Sequence, residues 1–265
     1  MVLVPLFGIS PLPNISGLPR AGELHLWSAS LSIRLKVSEG EGANSLHSDL
    51  RALLSGEELA RAERYQTKQA QEQFILVRSL LRCLLGQYLQ QNPAAVQFCY
   101  SIHGKPELFP TSPQLYFNLS HSQGMVLFAV RQGQPVGLDL EWINPKVNGM
   151  AIARRVFLAQ EQAEIFDLPL EQQQAKFFQI WTRKEALIKL HGDRLFPGLK
   201  AYDVSEYSST SSFKNSQKHC RSTSTLWLKD LAMLDSFAAA VATIQQPRHL
   251  QHHTWDWETS PATQR

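Results

Sequence analysis

Six residues, Val136-Gly137-Leu138-Asp139-Leu140-Glu141, constrain this chain more than any other stretch. A β-strand turns successive side chains to opposite faces. Val136, Leu138 and Leu140 then form one apolar face, which demands a core beneath it, and Gly137, Asp139 and Glu141 form the other. The two carboxylates lie about 7 Å apart by the strand rise, an unfavourable arrangement unless water or a cation shares the space. A hard divalent cation such as Mg²⁺ takes one or two carboxylates, keeps some water and is completed by substrate phosphates. Gly137 on that face predicts room for a bulky ligand to approach the backbone. The plainer alternative is an edge strand with solvated acids.

The rest of the composition sets bounds on that choice. With 265 residues and 43% hydrophobic content, the chain can bury a substantial core, in one large domain or two smaller ones. A net charge of +3 favours acidic partners without the footprint of a nucleic-acid binder. Cys83, Cys99 and Cys220 are odd in number, widely spaced and without C-x-x-C, which fits a reducing compartment and no zinc site. The apolar N-terminus carries no basic residue before Arg20 and is broken by Pro5, Pro11 and Pro13, so no export signal is expected. No apolar run reaches the length of a membrane span, and a cytoplasmic protein is predicted.

In order, residues 1–22 read as an irregular leader and Glu23–Ser32 as a first strand, followed by a loop over Gly40–Ser48. Ser55-Gly56-Glu57-Glu58 has the capping-box pattern and opens a short helix. Phe74, Val77, Leu81, Leu84, Leu85 and Tyr88 at helical spacing predict a long helix over about 68–91, ended by Asn92-Pro93. Short strands are predicted near 96–102, 115–118, 124–131 and 135–142, then helices over 159–166 and 171–190, the second closed by Gly192. Strands return at 202–204, 225–231 and 237–244, around a mobile Ser-rich loop at 205–224. The tail after Pro247, with His249, His252 and His253, reads as a ragged terminus rather than a metal site. The pattern suggests two α+β halves meeting near 131–134, although no repeat is visible between them.

Trp181, Glu185 and Lys189 stand four apart on the second long helix and share one face. A solvent-side Glu–Lys pair is worth only about 0.2–0.5 kcal/mol, and Trp181 on the same face argues against a plain solvent stripe. Glu185 would complete a metal site with Asp139 and Glu141, and Lys189 beside it would suit a phosphate. Upstream, Asn118-Leu119-Ser120-His121-Ser122 offers hydroxyls, an imidazole and backbone N–H groups to an anion, or is simply a turn. A serine hydrolase would need G-x-S-x-G, which is missing from the sequence.

Together Gly104-Lys105-Pro106, Phe117-Asn118-Leu119-Ser120-His121-Ser122, Val136–Glu141 and Trp181-x-x-Lys184-Glu185-Ala186-x-x-Lys189 resemble the 4′-phosphopantetheinyl transferases. The similarity is to the long, surfactin-synthetase-activating type, specific over roughly 61–190 and weak at both ends. It implies an α+β fold of two similar subdomains in pseudo-twofold arrangement, each a small sheet on a long helix, over 1–132 and 133–265. It further implies a monomer that moves the phosphopantetheine arm of coenzyme A (CoA) to a serine of an apo acyl or peptidyl carrier protein, releasing 3′,5′-ADP. By matching motif, Asp139, Glu141 and Glu185 look like the Mg²⁺ ligands, and Lys189 resembles a lysine near the pyrophosphate. Lys105, Ser120 and His121 fall where the family binds adenosine and the 3′-phosphate. Arg61-x-x-Arg64-Tyr65 is similar to a basic segment holding that phosphate, and Arg82 fits a family arginine. Thr182-Arg183 departs from the usual small and variable residues but is compatible with the motif.

Mg²⁺ and Lys189 would stabilise charge developing on the leaving group, and Glu185 or a metal-bound water would accept the serine proton. Two alternatives stand beside this. One is a catalytically silent CoA- or nucleotide-binding regulator, against which the intact set Asp139, Glu141, Glu185 and Lys189 speaks. The other is a Mg²⁺-dependent phosphodiesterase, which would turn over CoA without a carrier.

Overall fold

A computed structural model of the chain describes residues 17–31, 43–110, 114–205, 212–214 and 225–255. Its first half runs β1 (Glu23–Ser30), α1 (Ala43–Ala52), α2 (Gly56–Ala62), α3 (Lys68–Tyr88), β2 (Phe98–Tyr100), β3 (Pro106–Leu108), β4 (Leu115–Ser122) and β5 (Met125–Gln132). Then follow β6 (Val136–Trp142), α4 (Gly149–Val156), α5 (Ala159–Phe166), α6 (Leu170–His191) and α7 (Leu195–Ala201). The order closes with β7 (Ser212–Lys214), β8 (Thr225–Asp230), β9 (Phe237–Thr243) and β10 (His249–Trp255).

The architecture is α+β, as the sequence predicts. One four-stranded sheet has the order β10-β1-β5-β4 and the other β6-β9-β8-β7, with β2 and β3 as a separate hairpin. Alternation along the strands explains how these layers stack. Trp27 of β1 and Val126, Phe128 and Val130 of β5 pack with Leu80, Leu81 and Leu84 of α3. Their neighbours Leu24, Leu26, Leu127 and Ala129 turn the other way and meet Val136, Leu138 and Leu140 of β6. The second sheet buries its opposite face, with Leu228, Ala240 and Ala242, against Phe177, Ile180, Leu187 and Ile188 of α6. β1 and β5 are therefore covered on both faces, which is why six consecutive residues of each are buried. A long helix lies outside each sheet.

The local signals are legible in detail. Ser55 Oγ accepts from Glu58 N and the Glu58 carboxylate accepts from Ser55 N, closing the capping box at α2. Gly192 ends α6 at φ 73°, a left-handed conformation in which glycine has no Cβ penalty.

Several expectations fail. Of the loop expected over Gly40–Ser48, residues 40–42 lie outside the described residues and 43–48 belong to α1, whose Leu50 is buried and whose Leu50 carbonyl accepts from Ser79 Oγ. No strand forms at 202–204; α7 precedes it, and the Val204 N–H donates to buried Glu161. α4 is a further helix that the sequence reading leaves unassigned. The tail as far as Trp255 is not ragged, and 256–265 lie outside the described residues. As β10 it pairs in parallel with β1, from Glu23↔His249 to Ala29↔Trp255, with Trp255 2% exposed and His253 stacked on Trp27 at 4.3 Å. That pairing joins residues more than two hundred positions apart, so no local pattern announces it. Of the Ser-rich loop at 205–224, all but Ser205 and 212–214 lies outside the described residues, as do 1–16 of the leader and Cys220.

Candidate functional site

β6 is the floor of the site and α6 its roof. Their approach is set by small residues. A Cβ on Gly137 would collide with the Ala186 carbonyl oxygen and lie 2.5 Å from Leu190 N. On β9, Ala242, Ala240 and Ala238 pair with Gly137, Asp139 and Glu141 and extend the same shallow face. The expectation that Gly137 makes room for a ligand is thus corrected: it makes room for the backbone of α6. The consequence is chemical, because a helix seated that deeply brings Glu185 and Lys189 down onto the two acids of the strand.

Ligand oxygens of Asp139, Glu141 and Glu185 all lie within 4.8 Å of one another. Lys189 Nζ donates to Asp139 Oδ1 at 2.6 Å and stands 3.8 Å from Glu185. Ser120 Oγ donates to the same Asp139 oxygen at 3.0 Å, and Ser122 Oγ donates to Glu141 Oε2 at 3.1 Å. Burial, then the charge of Asp139, pushes the Glu185 carboxyl up to about 7 and that of Glu141 up to about 6. Burial alone would lower the Lys189 ammonium, but Asp139 and Glu185 outweigh it and hold it above its ordinary range.

Asp139 is 1% exposed, and its Oδ2 is buried without a hydrogen-bond partner among the described residues. A buried carboxylate oxygen without a partner, on a group that meets two further carboxylates, is costly in protein alone. The donor set is all oxygen and matches a hard divalent cation, so the residues fit Mg²⁺.

The remaining predicted residues fall into two groups. Lys105 reaches from the β2–β3 hairpin to the last turn of α6, where its Nζ donates to the Lys189 carbonyl at 2.7 Å, and burial lowers its ammonium. Lys105, Ser120, Lys189 and the acids therefore form one connected set. His121 lies against Gln73 of α3, with Nδ1 3.4 Å from the amide nitrogen. Arg61 of α2 packs over Phe74, the neighbour of Gln73, and over Tyr100 of β2, while Arg64 is exposed just beyond α2. His121 sits between Ser120 and Ser122, and burial, then the charge of Lys189, lowers its imidazole; among the described residues none of the three hydrogen-bonds a carboxylate of the site.

Arg82 is not a ligand-facing residue. It is 2% exposed, paired with Glu58 at 2.7 Å and donating to the carbonyls of Pro93, Ala94 and Val96. Its helical position alone gives no sign of that, because the partners come from two other segments. Lys184 is a similar case, fully buried at 2.7 Å from Glu161 and donating to the carbonyls of Leu199 and Tyr202. It ties α5 and α7 to the helix that carries Glu185. Glu161→Ala leaves this ammonium buried and uncompensated, and is expected to cost about 3–5 kcal/mol in denaturant unfolding; an unchanged midpoint would show the pair to be dispensable.

Fold and site together define a cluster of three carboxylates with a lysine beside it, a donor set suited to a hard divalent cation. Comparison with known proteins says which kind of protein carries it. The sequence profile of the 4′-phosphopantetheinyl transferase superfamily matches residues 135–242, the stretch from β6 to β9 that holds all three acids. The 4′-phosphopantetheinyl transferase HetI of Nostoc sp. is 40% identical over 183 residues, 68% of this chain and 73% of the relative. The 4′-phosphopantetheinyl transferase psf-1 of Bacillus pumilus is 33% identical over 171 residues, 64% of this chain and 72% of the relative. AcpT of Escherichia coli K12, a third 4′-phosphopantetheinyl transferase, is 35% identical over 140 residues, 53% and 67% of the two chains. The chain belongs to the 4′-phosphopantetheinyl transferase superfamily and is an enzyme of that class. No helix among the described residues is long and apolar enough to cross a membrane.

Proposed function

We propose that this enzyme transfers the 4′-phosphopantetheine arm of coenzyme A to a serine of an apo acyl or peptidyl carrier protein, with Mg²⁺, releasing 3′,5′-ADP. The observation that carries the reading is the meeting of Asp139, Glu141 and Glu185 within 4.8 Å, with Lys189 on Asp139. In this reading the chain works as a cytoplasmic monomer in two halves, 1–132 and 133–265, with CoA between them.

Asp139, Glu141 and Glu185 would hold the cation, which supplies charge stabilisation to the pyrophosphate when bound. The serine hydroxyl oxygen of the carrier bonds to the phosphorus next to the pantetheine. The bond from that phosphorus to the bridging oxygen breaks, and the electron pair leaves on 3′,5′-ADP. Lys189 stands beside the acids and offers its ammonium to the oxygen that gains charge. Glu185 takes the serine proton, being the more open carboxylate at 16% side-chain exposure against 2% for Asp139. Lys105, Ser120 and His121, with Arg61 and Arg64 across α3, grip the adenosine and its 3′-phosphate.

Mass spectrometry of apo carrier proteins from fatty-acid, polyketide and peptide synthases, incubated with CoA and Mg²⁺, tests the reaction. A gain of one phosphopantetheine mass on the serine is expected. Consumption of CoA with every carrier unmodified would favour a phosphodiesterase. The basic residues carry a separate prediction. Dephospho-CoA, lacking the 3′-phosphate, loses charge-assisted contacts worth about 1.5–3 kcal/mol and should bind roughly ten- to hundredfold more weakly than CoA. Both affinities are to be measured at one salt concentration, since screening weakens exposed ion contacts. Equal affinities would move Arg61, Arg64, Lys105 and His121 off the cofactor.

A further inference from the structure

β4 carries three small polar residues at alternate positions, Asn118, Ser120 and Ser122, on the side that meets β6. β6 is the outer strand of its sheet, bonded to β9 on one edge. Its other edge would leave backbone groups unpaired, which is costly under a packed sheet. The row on β4 answers this need. Asn118 Nδ2 donates to the Val136 carbonyl at 3.1 Å, and the Trp142 N–H donates to Ser122 Oγ at 3.0 Å. The side chains of one sheet thus stand in for a backbone ladder at the edge of the other.

The same row reaches the acids, and its two serines do different things there. Ser120 shares Asp139 Oδ1 with the Lys189 ammonium, so Asp139 is held from two sides. Glu141 has the longer side chain, with one more torsion to fix than Asp139, and its hydrogen bond among the described residues is the one from Ser122 at 3.1 Å. A hydroxyl has one proton to give. Because Ser122 Oγ already accepts from the Trp142 N–H, its own proton is free to be given to Glu141 Oε2. The backbone of the residue next to Glu141 therefore orients the hydroxyl that orients Glu141.

We propose that Ser122 is a positioning residue for the carboxylate site: it holds one oxygen of Glu141 and turns the other into the space shared with Asp139 and Glu185. This rests on the reading of those acids as cation ligands and adds a residue that acts through one of them. The side-chain torsions of Glu141 are fixed before the cation arrives, so less conformational entropy is lost on binding.

The test is Mn²⁺ binding to the CoA-free protein, followed by calorimetry at fixed pH and salt, for the wild type, Asp139→Ala, Ser122→Ala, Glu141→Gln and the double variant Ser122→Ala/Glu141→Gln. Ser122→Ala should weaken Mn²⁺ binding by about tenfold or more, while KM for CoA stays near the wild-type value. In the Glu141→Gln background the same change should have no further effect, since the two residues act as a unit. Circular dichroism and thermal midpoints establish that the variants are folded at the assay temperature. Should Ser122→Ala fail to fold, the near-isosteric Ser122→Cys, with its weak S–H donor, carries the same expectation. A folded Ser122 variant that binds Mn²⁺ as the wild type does, or whose loss simply adds to that of Glu141→Gln, overturns the positioning role alone. A wild type that binds no Mn²⁺, or an Asp139→Ala variant that binds it unchanged, overturns the carboxylate site and this inference together.

Discussion

Asp139→Ala should reduce transfer by about three orders of magnitude while leaving a folded protein. The expected loss follows from position. Asp139 is the acid that touches Lys189, Ser120 and the shared space at once, and its Oδ2 has no hydrogen-bond partner among the described residues. Removing it takes one hard ligand from the cation and the anchor from the lysine, an effect of about 4 kcal/mol at tenfold per 1.36 kcal/mol. The fold should survive although Asp139 is 1% exposed. Its charge is one of three confined carboxylates, so its loss relieves repulsion, and Lys189 keeps Glu185 at 3.8 Å. Single-turnover rates over a Mg²⁺ titration, beside thermal midpoints, decide the matter. Near-normal turnover at low Mg²⁺ would remove Asp139 from the metal site.

Gly137→Ala should damage both stability and turnover, by a different route. The added Cβ meets the Ala186 carbonyl and the Leu190 N–H, which are helix backbone and cannot rotate away. α6 must lift from β6 or the strand must bend, at a cost of about 3 kcal/mol, the upper range for overpacking. The lift also carries Glu185 and Lys189 off Asp139 and Glu141. A misplacement of about 1 Å is enough to cost roughly a hundredfold in rate. Denaturant midpoints and turnover should fall together, whereas in Asp139→Ala turnover falls by itself. A Gly137→Ala protein of wild-type stability would show that the helix sits less tightly on the strand than this geometry requires.

Lys189 separates from Glu185 in the same assays. Glu185→Gln should weaken the Mg²⁺ dependence, because a neutral amide is a poorer ligand for a hard cation. Lys189→Ala should instead slow transfer with the metal dependence roughly intact, since it removes positive charge where the leaving group gains negative charge. If both variants keep wild-type rates, the four-residue spacing is an ordinary surface pair worth a few tenths of a kcal/mol.

The sequence by itself determined the α+β class, most long elements and which three acids come together. The reason is that each rests on a local period. Alternation in Val136–Glu141 sorts core from carboxylates, the four-residue step from Trp181 to Lys189 puts Glu185 and Lys189 on one face, and Ser55 with Glu58 marks a helix start. Short range also explains the failures. Arg82 fits a family arginine and Lys184 belongs to the helix motif, and nothing local shows that Glu58 and Glu161, from other segments, bury them. The tail becomes β10 only because β1 offers it an edge. Gly137 could signify space for a ligand or for a helix, and only the packing of α6 chose the helix. Ser122 is one of several serines in the sequence, and it acquires a role because β4 and β6 meet edge to edge. Periodicity fixes which way a side chain points on its own element. What stands opposite it is a long-range fact, set by how the sheets and helices bury their remaining faces, and the tertiary structure alone supplies it.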